Sequence, residues 1–430
     1  MTKSDDDNLG LVESDQSVDL LNQKFYSRFP YPWPPMSFPK LDDVEFETIM
    51  LNQSIGDWDH TLIPANAKIW IAGCGTNQAV YTALRFPQAS IVGSDISQAS
   101  LEICDKISTS LRIRNLSLRH ESLSKVEYDH EFDYIVSTGV VHHTADPLNA
   151  LKRVSRALKQ SGVLELMVYN RFHRTLTSAF QKAVRLISRG ENPICGFDEE
   201  LNIAKEIINS GSQSLGWLTQ YRNFPEAMFA DTLLQPVERS YTVESLCSCL
   251  EECDLEILTP CYNQFDRSLG RASWNMEFGD STLRRRIENL PDTIRWQISN
   301  LLLHEHSPML WFFVQHKNGP HKKDHKGRHE SRIGEEFLDC RFVRASTRLS
   351  NYVKRSDHDY EISRISVPYP VLPESKLLRT IIETADGRLN MRQILNLHRI
   401  DTTNLKALSD IRIQTTTSCC PYLRAVRLPA

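Results

Sequence analysis

The chain has 430 residues, 40% hydrophobic and 24% charged, with a net charge of −4. This is the balance of a globular protein of about two or three domains, and it excludes collagen-like, coiled-coil and wholly disordered classes. No stretch reaches the roughly 20 apolar residues that cross a bilayer. The polar start MTKSDDDNLGLVESD does not read as a secretory signal, so none is expected, and ten cysteines are too sparse for a disulfide scaffold. A cytoplasmic protein without membrane contact is expected.

Residues 1–18 are acidic and polar, and disorder is expected there. Residues 19–66 hold the aromatic and proline-rich run FYSRFPYPWPPMSFPK, Phe25 to Lys40. Proline excludes a regular helix there and favours extended or turn backbone. Such a segment can pack across a neighbouring domain or cover a pocket.

Residues 67–317 read as one α/β unit. Short apolar runs (Lys68–Gly73, Ser90–Asp95, Leu116–His120, Phe132–Thr138, Val163–Asn170) alternate with amphipathic helices. That alternation implies crossovers and a mostly parallel sheet with helices on both faces. Asp146–Lys159 is predicted as a helix stopped by Gly162. About 171–240 reads as a helical insertion. A helix and strand follow over Val243–Tyr262, a helical stretch over Asp280–His304, and a last strand at Met309–Lys317.

Residues 318–330 form a basic linker, and 331–430 a small α or α+β module. Glu374–His398 reads there as two helices around an Asp-Gly turn. From His316 onward there are 21 basic and 13 acidic residues, leaving 29 and 41 before it. Docking of tail on body, or a solvated basic face, is the ordinary reading of that contrast. An acidic partner is the sharper one.

The chemistry concentrates in KIWIAGCGTNQAV. Gly73-x-Gly75 at a strand end lets a ligand approach the backbone, and the next helix N-terminus offers unpaired N–H groups. Asp95 ends the second strand twenty residues after Gly75, a position that commonly holds ribose hydroxyls. A nicotinamide dinucleotide usually needs a third glycine, where this chain has Gln78. S-adenosylmethionine has no phosphate and does not need it.

IAGCGTNQ, GSDIS, FDYIVSTGVVHHTADP and LKQSGVLELMVYN together resemble the successive motifs of class I, seven-stranded Rossmann-like S-adenosylmethionine-dependent methyltransferases, in order and at the usual spacing. The resemblance covers about Lys68–Asn170. It implies that Ala72, Gly73, Cys74 and Gly75 lie beneath the methionine part of the cofactor. Asp95 then binds the ribose and Ile96 covers the adenine, with Glu121 and Ser122 near its amino group. Ser137, Thr138 and Gly139 lie beside the sulfonium. His142 and His143 stand at the mouth of the site, as pocket-shaping caps or as proton-transfer groups. Tyr169, Asn170 and Arg171, where the fifth strand ends, are candidates for the acceptor side or anchors of the insertion. The family usually carries an acid where this chain has Ile71.

The expected reaction is methyl transfer to an oxygen, nitrogen or carbon atom, with a small molecule as favoured acceptor. A peptide or protein presented by the C-terminal module is the alternative. A non-catalytic cofactor-binding protein is a further alternative, motivated by Ile71. Cys247, Cys249 and Cys253 lack C-x-x-C spacing and read as inert helix thiols. His316, His321, His325 and His329 read as a solvated spacer, so no metal site is expected. Two helices and basic charge do not make a nucleic-acid interface.

Overall fold

The computed structural model describes residues 15–189, 196–210, 213–304, 307–320 and 327–426. The N-terminal region forms α1 (Asp15–Arg28), β1 (Ser37–Leu41) and α2 (Phe46–Ser54). The α/β unit then runs β2 (Lys68–Ala72), α3 (Gln78–Arg85), β3 (Ser90–Asp95), α4 (Gln98–Ser110), β4 (Leu116–His120) and β5 (Phe132–Thr138). A 3₁₀ turn at Val141–His143 leads to α5 (Pro147–Ala157) and β6 (Leu158–Asn170). The insertion supplies α6 (Arg171–Arg189), α7 (Phe197–Asn209), a 3₁₀ stretch at Gln213–Tyr221 and α8 (Glu226–Leu234). The unit closes with β7 (Ser240–Tyr241), α9 (Val243–Glu251), β8 (Leu255–Pro260), α10 (Gln264–Ser268), α11 (Ser281–Glu288), α12 (Asp292–Leu302) and β9 (Met309–His316).

The central sheet has the order β4-β3-β2-β5-β6-β9-β8, with short β7 beside β6. All described pairings are parallel except those of β9, which runs against both β6 and β8. This is the expected mostly parallel seven-stranded sheet. Its strands are apolar on both faces because helices cover both. Along β2, Ile69 and Ile71 face the α3–α4 layer, while Trp70 and Ala72 face α5, α9 and α12. Local caps start the helices where the ligand edge needs them. Ser97 accepts from Ser100 N, Asp146 from Asn149 N with Pro147 in the first turn, and Thr242 forms a capping box with Ser245.

The C-terminal module contains α13 (His329–Asp339), β10 (Arg341–Arg344), β11 (Thr347–Ser356), β12 (Asp359–Tyr369), α14 (Lys376–Thr384), β13 (Asp386–Asn390), α15 (Met391–Leu397), α16 (Leu405–Thr416), β14 (Cys420–Pro421) and β15 (Leu423–Ala425). It has its own core around Ile333, Phe337, Phe342, Ile381, Ile394 and Leu423. Strands order as β13-β10-β15 in one antiparallel sheet and β1-β11-β12 in another. The second sheet recruits β1 from the N-terminal region, so the chain's two ends are joined by a β-ladder.

Gln53 of α2 reinforces that junction. Its fully buried amide donates to Thr416 O (3.1 Å) and Leu423 O (2.8 Å) and accepts from Ala425 N (2.7 Å). Gln53→Leu leaves these backbone groups without partners, at about 1–3 kcal/mol each when buried. We expect the variant to expose residues 405–425 to hydrogen exchange while the central sheet keeps its protection. Unchanged protection of those residues would exclude the clamp.

Several expectations are corrected. Residues 15–18, where disorder is expected, belong to α1, because Val18, Asn22 and Phe25 form a buried helical stripe; residues 1–14 lie outside the described set. The aromatic run is helical through Arg28, since its first proline is Pro30. The helix before β6 ends at Ala157, because Leu158 is already buried opposite Phe132 in the sheet, and Gly162 lies within the strand. The stretch near Asp280–His304 is two helices, divided at Leu290-Pro291, where proline cannot continue α11. β13 lies between the two tail helices, and the β11–β12 hairpin was not anticipated. His316 and His329 are buried in β9 and at the start of α13, not solvated. His321 and His325 lie outside the described residues.

Candidate functional site

The chain order reverses at β2, whose neighbours are β3 on one side and β5 on the other. Open α/β sheets bind ligands beyond the C-terminal strand ends at such a point. Here Gly73 (φ +79°) and Gly75 (φ +53°) turn the backbone from β2 into α3. Both sit in the left-handed region that suits glycine. Gly73 N and Cys74 N donate to Ser94 O at 2.8 and 2.9 Å, fixing the loop against β3.

Asp95 completes this arrangement. Its Oδ2 accepts from Gly75 N and its Oδ1 from Ser97 N, both at 2.8 Å. The carboxylate therefore ties the glycine loop to the start of α4, and each oxygen keeps further acceptor capacity. Burial raises its pKa, and the backbone donors oppose that rise. Ile96 is half-buried beside it, while Ala72 and Cys74 are buried. A hydrogen bond with Cys104 and burial raise the Cys74 thiol, so it is a poor nucleophile. Glu121 Oε2 accepts from Tyr128 Oη at 2.6 Å, and Ser122 Oγ donates to Asp19 Oδ2 at 2.6 Å.

The aromatic N-terminal run lies over this loop. Thr76 N donates to Tyr31 O at 3.3 Å, and the Thr76 hydroxyl donates to Pro32 O. Asn77 Nδ2 donates to Pro32 O and Trp33 O at 3.3 and 3.2 Å. A Cβ on Gly75 would stand 2.5 Å from Tyr31 O, so glycine is what lets the strap come this close. Upstream, Asn22 of α1 donates to His143 O at 2.8 Å.

Beyond the ends of β5 and β6 buried polar side chains cluster, and they would wall a candidate chamber. The His142 ring is 0% exposed and stands 4.1 Å from the His143 ring and 4.3 Å from the Tyr169 ring, between centroids. Neither ring nitrogen of His142, nor the buried Ser137 Oγ, has a hydrogen-bond partner among the described residues. Thr138 Oγ1 accepts from Gln78 Nε2 at 2.7 Å, and Gly139 N donates to Met167 O at 3.3 Å. His143 Nδ1 donates to Val237 O at 2.7 Å. Burial depresses both imidazoles, and His143 falls to about 4. Both are neutral at neutral pH and weak as bases.

Four further residues complete the chamber. Arg174 lies 4.4 Å from the Tyr169 ring centroid and grips Glu238 at 2.7 and 2.5 Å. Their side chains are 6% and 5% exposed. Asp231 of α8, 7% exposed, accepts from Tyr26 Oη at 3.1 Å. Burial raises its pKa to about 7. The sequence analysis missed Tyr26, Arg174, Asp231 and Glu238. The available signal was Asp231 as the lone acid within the apolar run AMFADTLL.

The other two acceptor-side candidates lie elsewhere. Asn170 is consumed by the fold: its Nδ2 donates to Ser307 O, and its Oδ1 accepts from Phe172 N and Asn300 Nδ2. Arg171 is exposed and donates to Ser240 O at 3.3 Å. No group of three His, Cys, Asp or Glu side chains among the described residues could hold a metal ion. No described helix is long and apolar enough to cross a membrane.

The neutral histidines carry a pH signature. Above the unfolded value near 6.5, His143 is neutral in both states and costs nothing. As pH falls from 6.5 toward 4 the unfolded chain takes up the proton first, so stability is lost, by an order of 3 kcal/mol at most. Asp231 acts oppositely: its raised pKa adds stability as pH falls through 7. We therefore expect denaturation at pH 7.5 and 5 to show a shallower acid loss in His143→Gln than in the parent chain. Equal slopes would mean that the ring is hydrated.

Residues 70–164 match the family model described as a methyltransferase domain. That stretch, similar to a methyltransferase domain, runs from β2 into β6 of the seven-stranded sheet. An uncharacterised protein of Synechococcus sp. is 28% identical over 254 residues, 55% of this chain and 57% of that protein. The chain thus spans just over half the length of that curated relative. Among solved structures, PKMT2 from Rickettsia typhi is similar with a TM-score of 0.56 at 13% identity, covering 92% of this chain and 77% of that one. The same protein in complex with AdoHcy gives 0.55 at 13% identity, with the same coverage. At that identity the likeness is one of fold, and it reaches beyond the matched domain.

Proposed function

We propose that this methyltransferase moves a methyl group from S-adenosylmethionine to a small-molecule acceptor whose reactive atom enters the chamber between β5, β6, Tyr31 and α8. The observation that carries this reading is the pairing of the glycine loop with unpartnered polar atoms at the end of β5. A buried polar group without a partner costs about 1–3 kcal/mol. His142 and Ser137 hold such groups beside the switch point, where a ligand would satisfy them.

On this reading Ala72, Gly73, Cys74 and Gly75 lie below the methionyl part of the cofactor. Asp95 receives the ribose hydroxyls, Ile96 covers the adenine, and Glu121 and Ser122 border its amino group. Ser137, Thr138 and Gly139 border the sulfonium. Ile71 is in the core between Gly93 and Val136, so a backbone carbonyl must accept from the methionyl amine. When bound, S-adenosylmethionine supplies an electrophilic methyl on a cationic sulfur. The chain's contribution is positioning and water exclusion, and good positioning is worth effective molarities of about 10⁵–10⁸ M. Tyr31, His142 and Tyr169 shape the acceptor side, with neutral imidazoles serving as hydrogen-bond partners.

The test begins with calorimetric titration of the purified chain with S-adenosylmethionine, S-adenosylhomocysteine and NAD. Binding of both adenosyl compounds and not NAD is expected. Methyl-labelled cofactor with fractionated small molecules should then label a small product. Tight binding with no transfer to any fraction would support a non-catalytic binding protein instead. One observation favours a second reading, an acceptor carried on a peptide. β12 is the edge of its sheet and exposes Ile362, Ile365 and Val367, and such an edge can take an added strand. Label entering peptides alone would select that reading.

A further inference from the structure

We infer that Asp231 binds and deprotonates the methyl acceptor, and that this acceptor is an amine arriving as its ammonium ion. The inference rests on the chamber being the acceptor site and adds to that reading its base and its substrate class.

From α6 and the segment after α8, Arg174 and Glu238 face the chamber as a closed pair. From the 3₁₀ turn, His142 and His143 are neutral. From α1, the strap and β6 come Tyr26, Tyr31 and Tyr169, whose hydroxyls burial keeps protonated. Asp231 is therefore the surplus negative charge. Its hydrogen-bond donor among the described residues is the neutral Tyr26 hydroxyl. A buried carboxylate is expensive unless a cation or several donors meet it. Arg174 is within electrostatic range, but its guanidinium is held by Glu238 and Thr232 O. An ammonium ion would supply the missing charge, and tyrosine ring faces attract such ions. A hydroxyl or carbon acceptor would arrive neutral, and Asp231 would then be relieved only by taking up a proton itself, as its raised pKa allows.

The chemistry balances. The ammonium N–H proton passes to the Asp231 carboxylate, giving a carboxylic acid and a neutral amine. The freed lone pair forms the N–C bond to the methyl group as the S–C bond breaks. Sulfur keeps that electron pair and becomes a neutral thioether. The product leaves as a methylated ammonium ion, and Asp231 later releases its proton to water. A carboxyl titrating near neutrality suits this exchange.

The probe is n-butylammonium chloride titrated onto the full chain saturated with S-adenosylhomocysteine, with n-butanol as the neutral comparison. Butylammonium should bind and n-butanol should bind at least tenfold more weakly. Asp231→Asn should weaken butylammonium binding at least tenfold while S-adenosylhomocysteine binds as in the parent chain. Tyr26→Phe, which removes the donor to Asp231, should move the acidic limb of amine binding to higher pH. Equal binding of butylammonium by Asp231→Asn and the parent would overturn the inference and leave the methyltransferase reading standing. Labelling of only oxygen or carbon acceptors would overturn it too. Failure of the parent chain to bind any adenosyl compound would instead overturn the reading beneath it.

Discussion

Asp95→Ala is expected to weaken S-adenosylmethionine binding by about 1.5–3 kcal/mol, roughly 10- to 150-fold, the range for losing a hydrogen bond to a charged group. The carboxylate has two functions in this geometry. Its two oxygens hold Gly75 N and Ser97 N at 2.8 Å, and its remaining acceptor capacity faces the switch point. Removal therefore loosens the glycine loop even before a ligand arrives. Calorimetric titration of parent, Asp95→Ala and Asp95→Asn separates the two functions. Asparagine keeps one acceptor oxygen, so it should retain part of the loop bonding while losing the charge. Loss of affinity in both variants with similar melting temperatures would place the carboxylate on the ribose. Lowered melting with unchanged affinity would restrict Asp95 to holding the loop.

The switch-point edge, proposed as the cofactor side, was legible because its determinants are local. The two glycines of the GCG turn, a strand-terminal acid twenty residues on, and apolar runs alternating with amphipathic helices each lie within one short window. Periodicity and turn chemistry read such windows directly. The buried polar cluster proposed as the acceptor side was not legible. Tyr26 and Asp231 stand 205 positions apart, and Arg174 and Glu238 64 apart. Nothing in either neighbourhood marks them as partners. The same reason hid the ladder between β1 and β11, whose residues pair across more than 300 positions. Helix ends were misplaced where tertiary burial outweighed a local stop signal. Leu158 enters the sheet four residues before Gly162 could end anything. Asn170 shows the converse: it ends a strand at the C-terminal edge of the sheet, yet its amide is used by Ser307, Phe172 and Asn300.

Arg174→Met should be among the most destabilising single substitutions in the insertion. It removes one partner of a pair whose side chains are 6% and 5% exposed. Gln181 Nε2, at 3.3 Å, remains as a donor to the stranded Glu238. Breaking a buried pair on one side costs about 3–5 kcal/mol, whereas replacing both partners with apolar groups is often close to neutral. Arg174→Met with Glu238→Leu should therefore recover most of the loss that Arg174→Met alone incurs. Chemical denaturation of the three proteins at pH 7.5 and 5, with hydrogen exchange followed in α6 and α8, measures all of these effects. A loss below about 1 kcal/mol for Arg174→Met would mean that water reaches the pair. The surplus charge on Asp231 would then be solvated, and the electrostatic case for an ammonium acceptor would fall with it.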